Sequence, residues 1–146
     1  MIGRCLVGLF VLILAASTET SAQKSSGLPR AIETAFRKAY PNATILHASR
    51  ERRNGQVVYE VESRDGSTQR DLVYDLAGQA LEIEETIPAD SMPPAVRTAL
   101  ERDAPGAAIV RAERVTSAAG ISYEILVRRS GLARSLTYDA AGRRRP

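Results

Sequence analysis

The residues that could do chemistry in this chain are few, and most of them are carboxylates. His47 is the only histidine and Cys5 the only cysteine among the 146 residues. A serine triad needs a histidine base and a metal site needs several converging ligands, so a lone histidine is expected to be an ordinary surface residue. The sequence has no phosphate-binding glycine loop, nucleophile elbow or His-Glu-x-x-His pattern. It therefore predicts no catalytic residue, no cofactor and no metal ligand.

Carboxylates remain, and they occur at alternate positions of two predicted strands. Glu60 and Glu62 form one such pair, and Glu82 and Glu84 form another. Paired carboxylates can act as acid and base or bind Ca²⁺. In a strand, however, residues two apart share a face, and here apolar residues occupy the opposite face. We therefore expect these carboxylates to lie on the solvent side of a sheet that is covered on one side only.

The open faces of the predicted sheets are the candidate binding surface. If the two sheets join edge to edge, they form one long surface that is acidic in the first half and mixed in the second. Such a surface suits a protein or peptide, because charge complementarity sets register and association rate. The alternative is a small ligand or a cation bound by the acidic strands. The predicted partner-binding residues are Glu60, Glu62, Asp71, Glu82, Glu84, Glu124, Leu126 and Arg128.

An internal duplication organises the chain that must position these residues. Tyr59-Glu60-Val61 recurs 64 positions later as Tyr123-Glu124-Ile125. The same offset relates many other pairs, from Pro29 and Pro93 to Gly78 and Gly142. One offset fits nearly the whole chain after its first residues, which indicates two tandem repeats. The duplicated tyrosines are predicted to be packing residues, with Tyr59 and Tyr123 largely buried between sheet and helix.

Each repeat is predicted to be an α+β unit. An apolar stripe at helical spacing follows Leu28-Pro29 and ends before Pro41. Short alternating strands follow, joined by tight turns such as Asn54-Gly55, which implies an antiparallel meander with the helix on one face. The predicted bounds are a leader at 1–22, a flexible lead-in at 23–27, repeat 1 at 28–87, a linker at 88–91 and repeat 2 at 92–146.

The end of the chain shortens the second repeat. Repeat 1 has four predicted strands, the last at 79–87, whereas the matching positions of repeat 2 end at Pro146. The second sheet is therefore predicted to have three strands. Residues 133–139 would form an open edge beside the basic tail of Arg143, Arg144 and Arg145, which we expect to keep the protein monomeric.

The first residues resemble a secretory leader. Arg4 precedes an apolar run of twelve residues at 5–16, and small residues follow. A spanning helix needs about 20 apolar residues, so cleavage is expected rather than stable membrane insertion. The protein would then be periplasmic or secreted. The net charge of +3 is too small to favour a nucleic-acid partner.

The order of these motifs resembles the PepSY-like, or beta-lactamase-inhibitor-like, domains. The motifs are a Leu-Pro-x-Ala-Ile helix closed by Tyr40-Pro41, then Tyr-Glu-Val and Tyr-Asp-x-x-Gly, all repeated between 28 and 142. The resemblance implies a secreted or periplasmic α+β protein with helices on one face of its antiparallel sheets. It also implies a non-enzymatic module that binds a protein or peptide with the open sheet face, as an inhibitor or regulator of a secreted enzyme.

Overall fold

The computed structural model describes residues 27–145. Two α-helices of equal length occupy matching places in the duplication. Helix α1 is Arg30–Ala39 and helix α2 is Pro94–Asp103. Pro29 and Pro93 precede them, where a missing N–H is harmless, and each helix ends just before a second proline, Pro41 or Pro105. The predicted leader lies outside the described residues, and no described helix is long and apolar enough to span a membrane.

Eight strands follow one another in a single antiparallel sheet. Neighbours in the sheet are neighbours in sequence throughout, so the sheet is a simple meander in the order β1 to β8. The strands are β1 Thr44–Arg53, β2 Gln56–Asp65, β3 Thr68–Tyr74, β4 Ala80–Thr86, β5 Ala108–Ser117, β6 Gly120–Arg129, β7 Leu132–Asp139 and β8 Arg144–Arg145.

The pairing of β4 with β5 joins the two halves of the molecule. Glu82 lies opposite Ser117 and Thr86 opposite Glu113, and the N–H of Ile87 extends the ladder to the carbonyl of Ala112 at 2.9 Å. Ile83 packs against the core beneath α1, and Ile87 packs against the core beneath α2. Because residues four apart in a strand share a face, both helices lie on the same side of the sheet.

Two apolar clusters fill the space between the helices and the sheet. Ile32 and Phe36 of α1 are fully buried. In α2, Val96 is fully buried and Ala99 is almost fully buried. The first cluster is Ile32, Phe36, Ala43, Val61, Leu72 and Tyr74. The second is Met92, Val96, Ala99, Leu100, Ala104, Ala112, Ile125, Val127, Leu136 and Tyr138. Each helix stripe therefore buries one face of its half of the sheet, as the alternation predicts.

The turn after β3 and the turn after β7 are tied to the helices in the same way. Asp75 Oδ1 accepts hydrogen bonds from the N–H groups of Ala77 and Gln79, at 2.9 and 2.8 Å. Asp139 makes the matching turn. Gly78, with φ +83°, lies so close to α1 that an added Cβ would be 2.7 Å from the carbonyl oxygen of Ala31. Glycine is required here by a left-handed conformation and by a close backbone approach at once.

The burial of the tyrosines differs from the sequence-based prediction. Tyr59 and Tyr123 are only half-buried, whereas Tyr74 and Tyr138 are 2% and 0% exposed. Helix α2 contacts the sheet mainly at β7. Tyr138 therefore lies beneath α2, and its hydroxyl donates to Asp103 Oδ2 at 3.0 Å. A tyrosine of β6 lies one strand away from that position and keeps part of its ring exposed.

The sheet also corrects the prediction for the end of the chain. The strands form one sheet, not two, and the second half has a fourth strand, although it is only two residues long. Arg144 and Arg145 pair with Tyr138 and Thr137. Arg143 donates to Asp139 Oδ2 at 2.7 Å, and the Arg144 guanidinium lies 5.9 Å from the centre of the Tyr138 ring. The arginines predicted to form a solvated tail are therefore partly built into the sheet.

We predict that Gly78→Ala destabilises the protein more than Gly131→Ala. The two glycines share φ +83°, but a Cβ on Gly131 would meet nothing within 4 Å. The Gly131 variant should lose about 1 kcal/mol from the strained backbone alone. The Gly78 variant should lose about 1–3 kcal/mol more, because the helix must move away. Denaturant unfolding measures both, and equal losses would show that the helix contact is unimportant.

A second prediction concerns the tyrosine pair on β2 and β3. Tyr59 and Tyr74 lie opposite each other, but only Tyr74 is fully buried. Tyr74→Ala should lower the free energy of unfolding by about 3–5 kcal/mol, as for other aromatic core truncations. Tyr59→Ala should cost clearly less, and chemical denaturation compares the two. A larger loss for Tyr59 would contradict the packing described above.

Candidate functional site

The open face of the sheet carries the candidate site. It is the face opposite to both helices, and the strand register brings the predicted residues of both halves onto it. Glu62, Asp71 and Glu84 lie directly opposite one another on β2, β3 and β4. The wider set of predicted residues on this face is Glu60, Glu62, Asp71, Glu82, Glu84, Glu124, Leu126 and Arg128. A common surface requires the two halves to join edge to edge, and the pairing of β4 with β5 joins them.

Sequence reasoning missed one central member of this surface. Glu113 on β5 lies opposite Glu124 on β6, and it is only 6% exposed. A bulge between Ile109 and Arg111 breaks the alternation of β5, so its faces cannot be read by counting from the start of the strand. The matching bulge in β1 lies between Ile45 and His47. The bulge is therefore duplicated, and this repetition is the signal that could have assigned Glu113 to the open face.

The carboxylates form an acidic row across five strands, with one step where the two halves join. Its members are Glu62, Asp71, Glu84, Glu113 and Glu124, on β2 to β6. Val115 lies opposite Glu84, and Glu113 lies two residues away on β5, opposite Thr86. Neighbouring strands are about 4.8 Å apart, so the row spans roughly 19 Å. That length is comparable to a short extended segment or a helix face of a partner protein.

Arginines neutralise the ends of this surface but not its centre. Arg53 lies 3.2 Å from Glu82 and 3.7 Å from Glu60, and Arg111 lies 3.2 Å from Glu113. Within residues 27–145, no basic side chain forms an ion pair with Glu62, Asp71 or Glu84. Asp71 Oδ1 is buried and has no hydrogen-bond partner among the described residues. Three opposed carboxylates thus share a partly desolvated surface without a direct ion pair, an arrangement that costs folding free energy.

The pKa values respond to this crowding in the expected direction. Burial raises the pKa of Glu84, and repulsion from Glu113 and Glu82 raises it further. Burial and the Glu62 charge raise the pKa of Asp71, against the opposing effect of Arg111. Burial likewise raises the pKa of Glu113, also against the effect of Arg111. Asp71, Glu84 and Glu113 therefore hold their negative charges less readily than isolated carboxylates do.

The same face offers little for catalysis or metal binding. His47 is exposed on β1, opposite Glu62 at the edge of the sheet. Among residues 27–145, no group of three or more His, Cys, Asp or Glu side chains converges as metal ligands must. The acidic row is extended, with one carboxylate per strand, and so lacks the closed arrangement of oxygens that Ca²⁺ requires. The arrangement is suited to a long cationic surface rather than to a point charge.

Comparison with known proteins agrees with this geometry. The family described as "Putative beta-lactamase-inhibitor-like, PepSY-like" matches residues 17–82 and 58–143. The chain belongs to the PepSY-like family. The two matches overlap across β2 to β4 and together cover both halves of the sheet. No curated protein matches this PepSY-like chain in sequence.

Three solved structures share the PepSY-like fold at low sequence identity. A BLIP-like protein from Bacteroides fragilis has 20% identity and a TM-score of 0.62, and the match covers 82% of this chain and 84% of that one. A protein from Bacteroides eggerthii titled "putative periplasmic proteins" has 13% identity and a TM-score of 0.66, with 80% and 85% covered. A DUF2874 family protein from Bacteroides uniformis has 16% identity and a TM-score of 0.64, also with 80% and 85% covered. At such identities the likeness establishes the fold alone.

We predict that the acidic row makes the protein more stable in mild acid than at neutral pH. A carboxyl group whose pKa is higher in the folded chain binds its proton more tightly when folded, so stability rises as the pH falls towards that pKa. The melting temperature should rise as the pH falls from neutral towards 4.5, the ordinary value for glutamate. It should fall again near the ordinary aspartate value of 3.8, because hydrogen bonds lower the pKa of Asp139 and Asp103.

The variant Glu84→Gln isolates this effect. It should raise the melting temperature at neutral pH and flatten its rise in mild acid, because it removes the central charge of the row. Glu101→Gln removes the same charge from an exposed position of α2 and should change neither. A thermal melt across pH that is identical for both variants would show that repulsion across the sheet is negligible.

Proposed function

We propose that this protein is a non-enzymatic, extracytoplasmic binding module that captures a protein partner on the open face of its sheet. The observation that supports it best is the group of opposed carboxylates Glu62, Asp71 and Glu84, which form no ion pair within the described chain. A partner that places lysine or arginine side chains over this row would relieve the repulsion among these carboxylates.

The charge distribution also defines which surfaces the partner can present. Arg53 flanks the row beside Glu60 and Glu82, and Arg111 flanks it beside Glu113. A matching surface is basic at its centre and carries acidic or neutral groups at its sides. Leu126 and Arg128 continue the face beyond Glu124 and provide an apolar contact with a basic margin. A mixed pattern of this kind selects one orientation of the partner, since a shifted docking places like charges together.

Inhibition or regulation of a secreted enzyme is the role we propose for this capture. The family name and the BLIP-like structure from Bacteroides fragilis both refer to beta-lactamase inhibitors. A continuous sheet face held by two buried cores is a rigid platform, which reduces the ordering cost of binding. The lone histidine and the absence of converging ligands among the described residues favour a binding role over a catalytic one.

An extracytoplasmic location is part of the same proposal. The first 22 residues have the charge, apolar run and small residues of a leader. The structurally similar protein from Bacteroides eggerthii is described as periplasmic. Both observations support a compartment in which secreted enzymes would be available as partners.

We expect partner capture to depend on the open face. The triple variant Glu60→Lys, Glu62→Lys, Glu84→Lys should fold, because these side chains lie outside both cores, and should lose capture of the partner from periplasmic or secreted material. The measurement is a pull-down with the purified protein as bait, followed by the affinity of the isolated partner in low and high salt.

A charge-matched triple variant provides the control. Glu33→Lys, Asp90→Lys and Glu101→Lys change the net charge equally but lie on the helices and the linker. This variant should retain capture. If the open-face variant keeps its circular dichroism spectrum and still binds as tightly as the control, the open face is not the binding surface.

A further inference from the structure

The outer edge of β7 differs from the edge that it matches in the first half. Strand β3 pairs with β4 from Arg70 to Tyr74. Its counterpart β7 pairs with β8 only at Thr137 and Tyr138. Residues 132–136 therefore have no strand on their outer side within the described chain. The internal duplication shows what such a strand does when it is present, because β4 occupies the equivalent edge of β3.

In the first half, β4 supplies two side chains to the helix side of this edge. Glu85 lies opposite Arg70, and its carboxylate accepts a hydrogen bond from Arg70 Nε at 2.6 Å. Ile83 lies opposite the buried Leu72 and joins the first core. The Arg70 guanidinium is 4.8 Å from the centre of the Tyr40 ring, and the Arg70 side chain is only 13% exposed. An acidic residue and an apolar residue, two apart, thus complete the edge.

In the second half, the surroundings of the matching arginine are open. Arg134, the counterpart of Arg70, is exposed, and its Nη2 donates to the carbonyl of Asp103 at 2.6 Å. The counterpart of Tyr40 is Ala104, so no ring covers the guanidinium. A cavity of about 410 Å³ lies beside it, lined by Ala107, Val127 and Arg134 among others. The corresponding residues of the first half are Ala43, Ser63 and Arg70. There, Tyr40 and Glu85 contact the Arg70 guanidinium.

The charges around this edge favour an acidic occupant. Arg128 and Arg129 end β6, Arg134 lies on β7, and Arg144 and Arg145 form β8. Two copies of β7 pairing with each other would bring these arginines together, which opposes self-association through the edge. An extended segment of another protein that carries carboxylates meets no such repulsion.

We propose that the outer edge of β7 accepts an extended, acidic segment of a partner protein as an added antiparallel strand. Backbone hydrogen bonds to residues 132–136 supply the pairing. One carboxylate of the segment lies over Arg134, as Glu85 does over Arg70, and an apolar side chain two residues away lies opposite Leu136, as Ile83 lies opposite Leu72. Leu136 is already buried, so the arginine contact and the backbone pairing carry the recognition. This site is separate from the acidic open face and goes beyond the function proposed above.

The chain itself supplies the probe for this site. A synthetic peptide with the sequence of residues 79–87 carries both side chains in the spacing that fits β3. It should bind the purified protein, slow hydrogen exchange at those amides of 133–136 that point away from β6, and bind more weakly in high salt. A peptide of the same composition in scrambled order should not protect these amides.

A charge exchange tests the proposed contact directly. Arg134→Glu should weaken the peptide at least roughly tenfold, because a like charge replaces the ion pair. The peptide with Glu85→Lys should recover binding to that variant. Lys38→Glu, which changes the same charge at an exposed position of α1, should have a much smaller effect. The open-face triple variant should bind the peptide normally, since the two surfaces are independent.

Three results would overturn the proposal. The first is an absence of peptide binding at millimolar concentration. The second is binding that is indifferent to Arg134→Glu, which would place the peptide elsewhere. The third is a dimer of the unliganded protein, seen by sedimentation, in which amides 133–136 are already protected, because the occupant would then be a second copy of this chain.

Discussion

The pairing of β4 with β5 is the interaction on which the rest of the structure depends. Each half has its own helix and its own apolar cluster, but only this ladder converts two meanders into one sheet. Ile83 and Ile87 lie close together in the chain but pack into different cores, and so both helices lie on one side of the sheet. The other side is left as one continuous face. The acidic row exists only because this ladder brings Glu84 of the first half beside Glu113 and Glu124 of the second.

The two halves share their architecture but differ in how completely they are closed. The turn at Asp75 and the turn at Asp139 have the same hydrogen bonds, and Gly78 and Gly142 approach their helices in the same way. The difference lies in a few residues around one arginine. Arg70 is held by Glu85 and covered by Tyr40, whereas Arg134 has lost both because Ala104 replaces the tyrosine and β8 is short. The packing positions are thus the same in both halves, and the differences lie at the outer edge of β7.

The clustered charges on the sheet surface lower the stability of the protein, and the packing of the two cores does not require them. Removing water from neighbouring carboxylates disfavours folding, and the raised pKa values of Asp71, Glu84 and Glu113 express that cost. The two apolar clusters compensate for it. Departures from local optimality of this kind are typical of binding surfaces, where the missing interaction is supplied by the partner. Under the two proposals, the acidic centre and the basic end of the same sheet would bind partners of opposite charge.

The sequence by itself determined the local elements and most of the faces. Prolines bound the helices, Asn54-Gly55 and the aspartate–glycine turns define hairpins, and alternation assigned Glu60, Glu62 and Glu84 to the face away from the helices. These features depend on residues close together in the chain. Tertiary structure decided the rest: the β4–β5 joint, the burial of Tyr74 rather than Tyr59, the bulge that turns Glu113 onto the open face, and the use of Arg144 and Arg145 as a strand. Each of these depends on which distant backbone groups pair and which strand lies beneath a helix, and neither is encoded in the periodicity of a single segment.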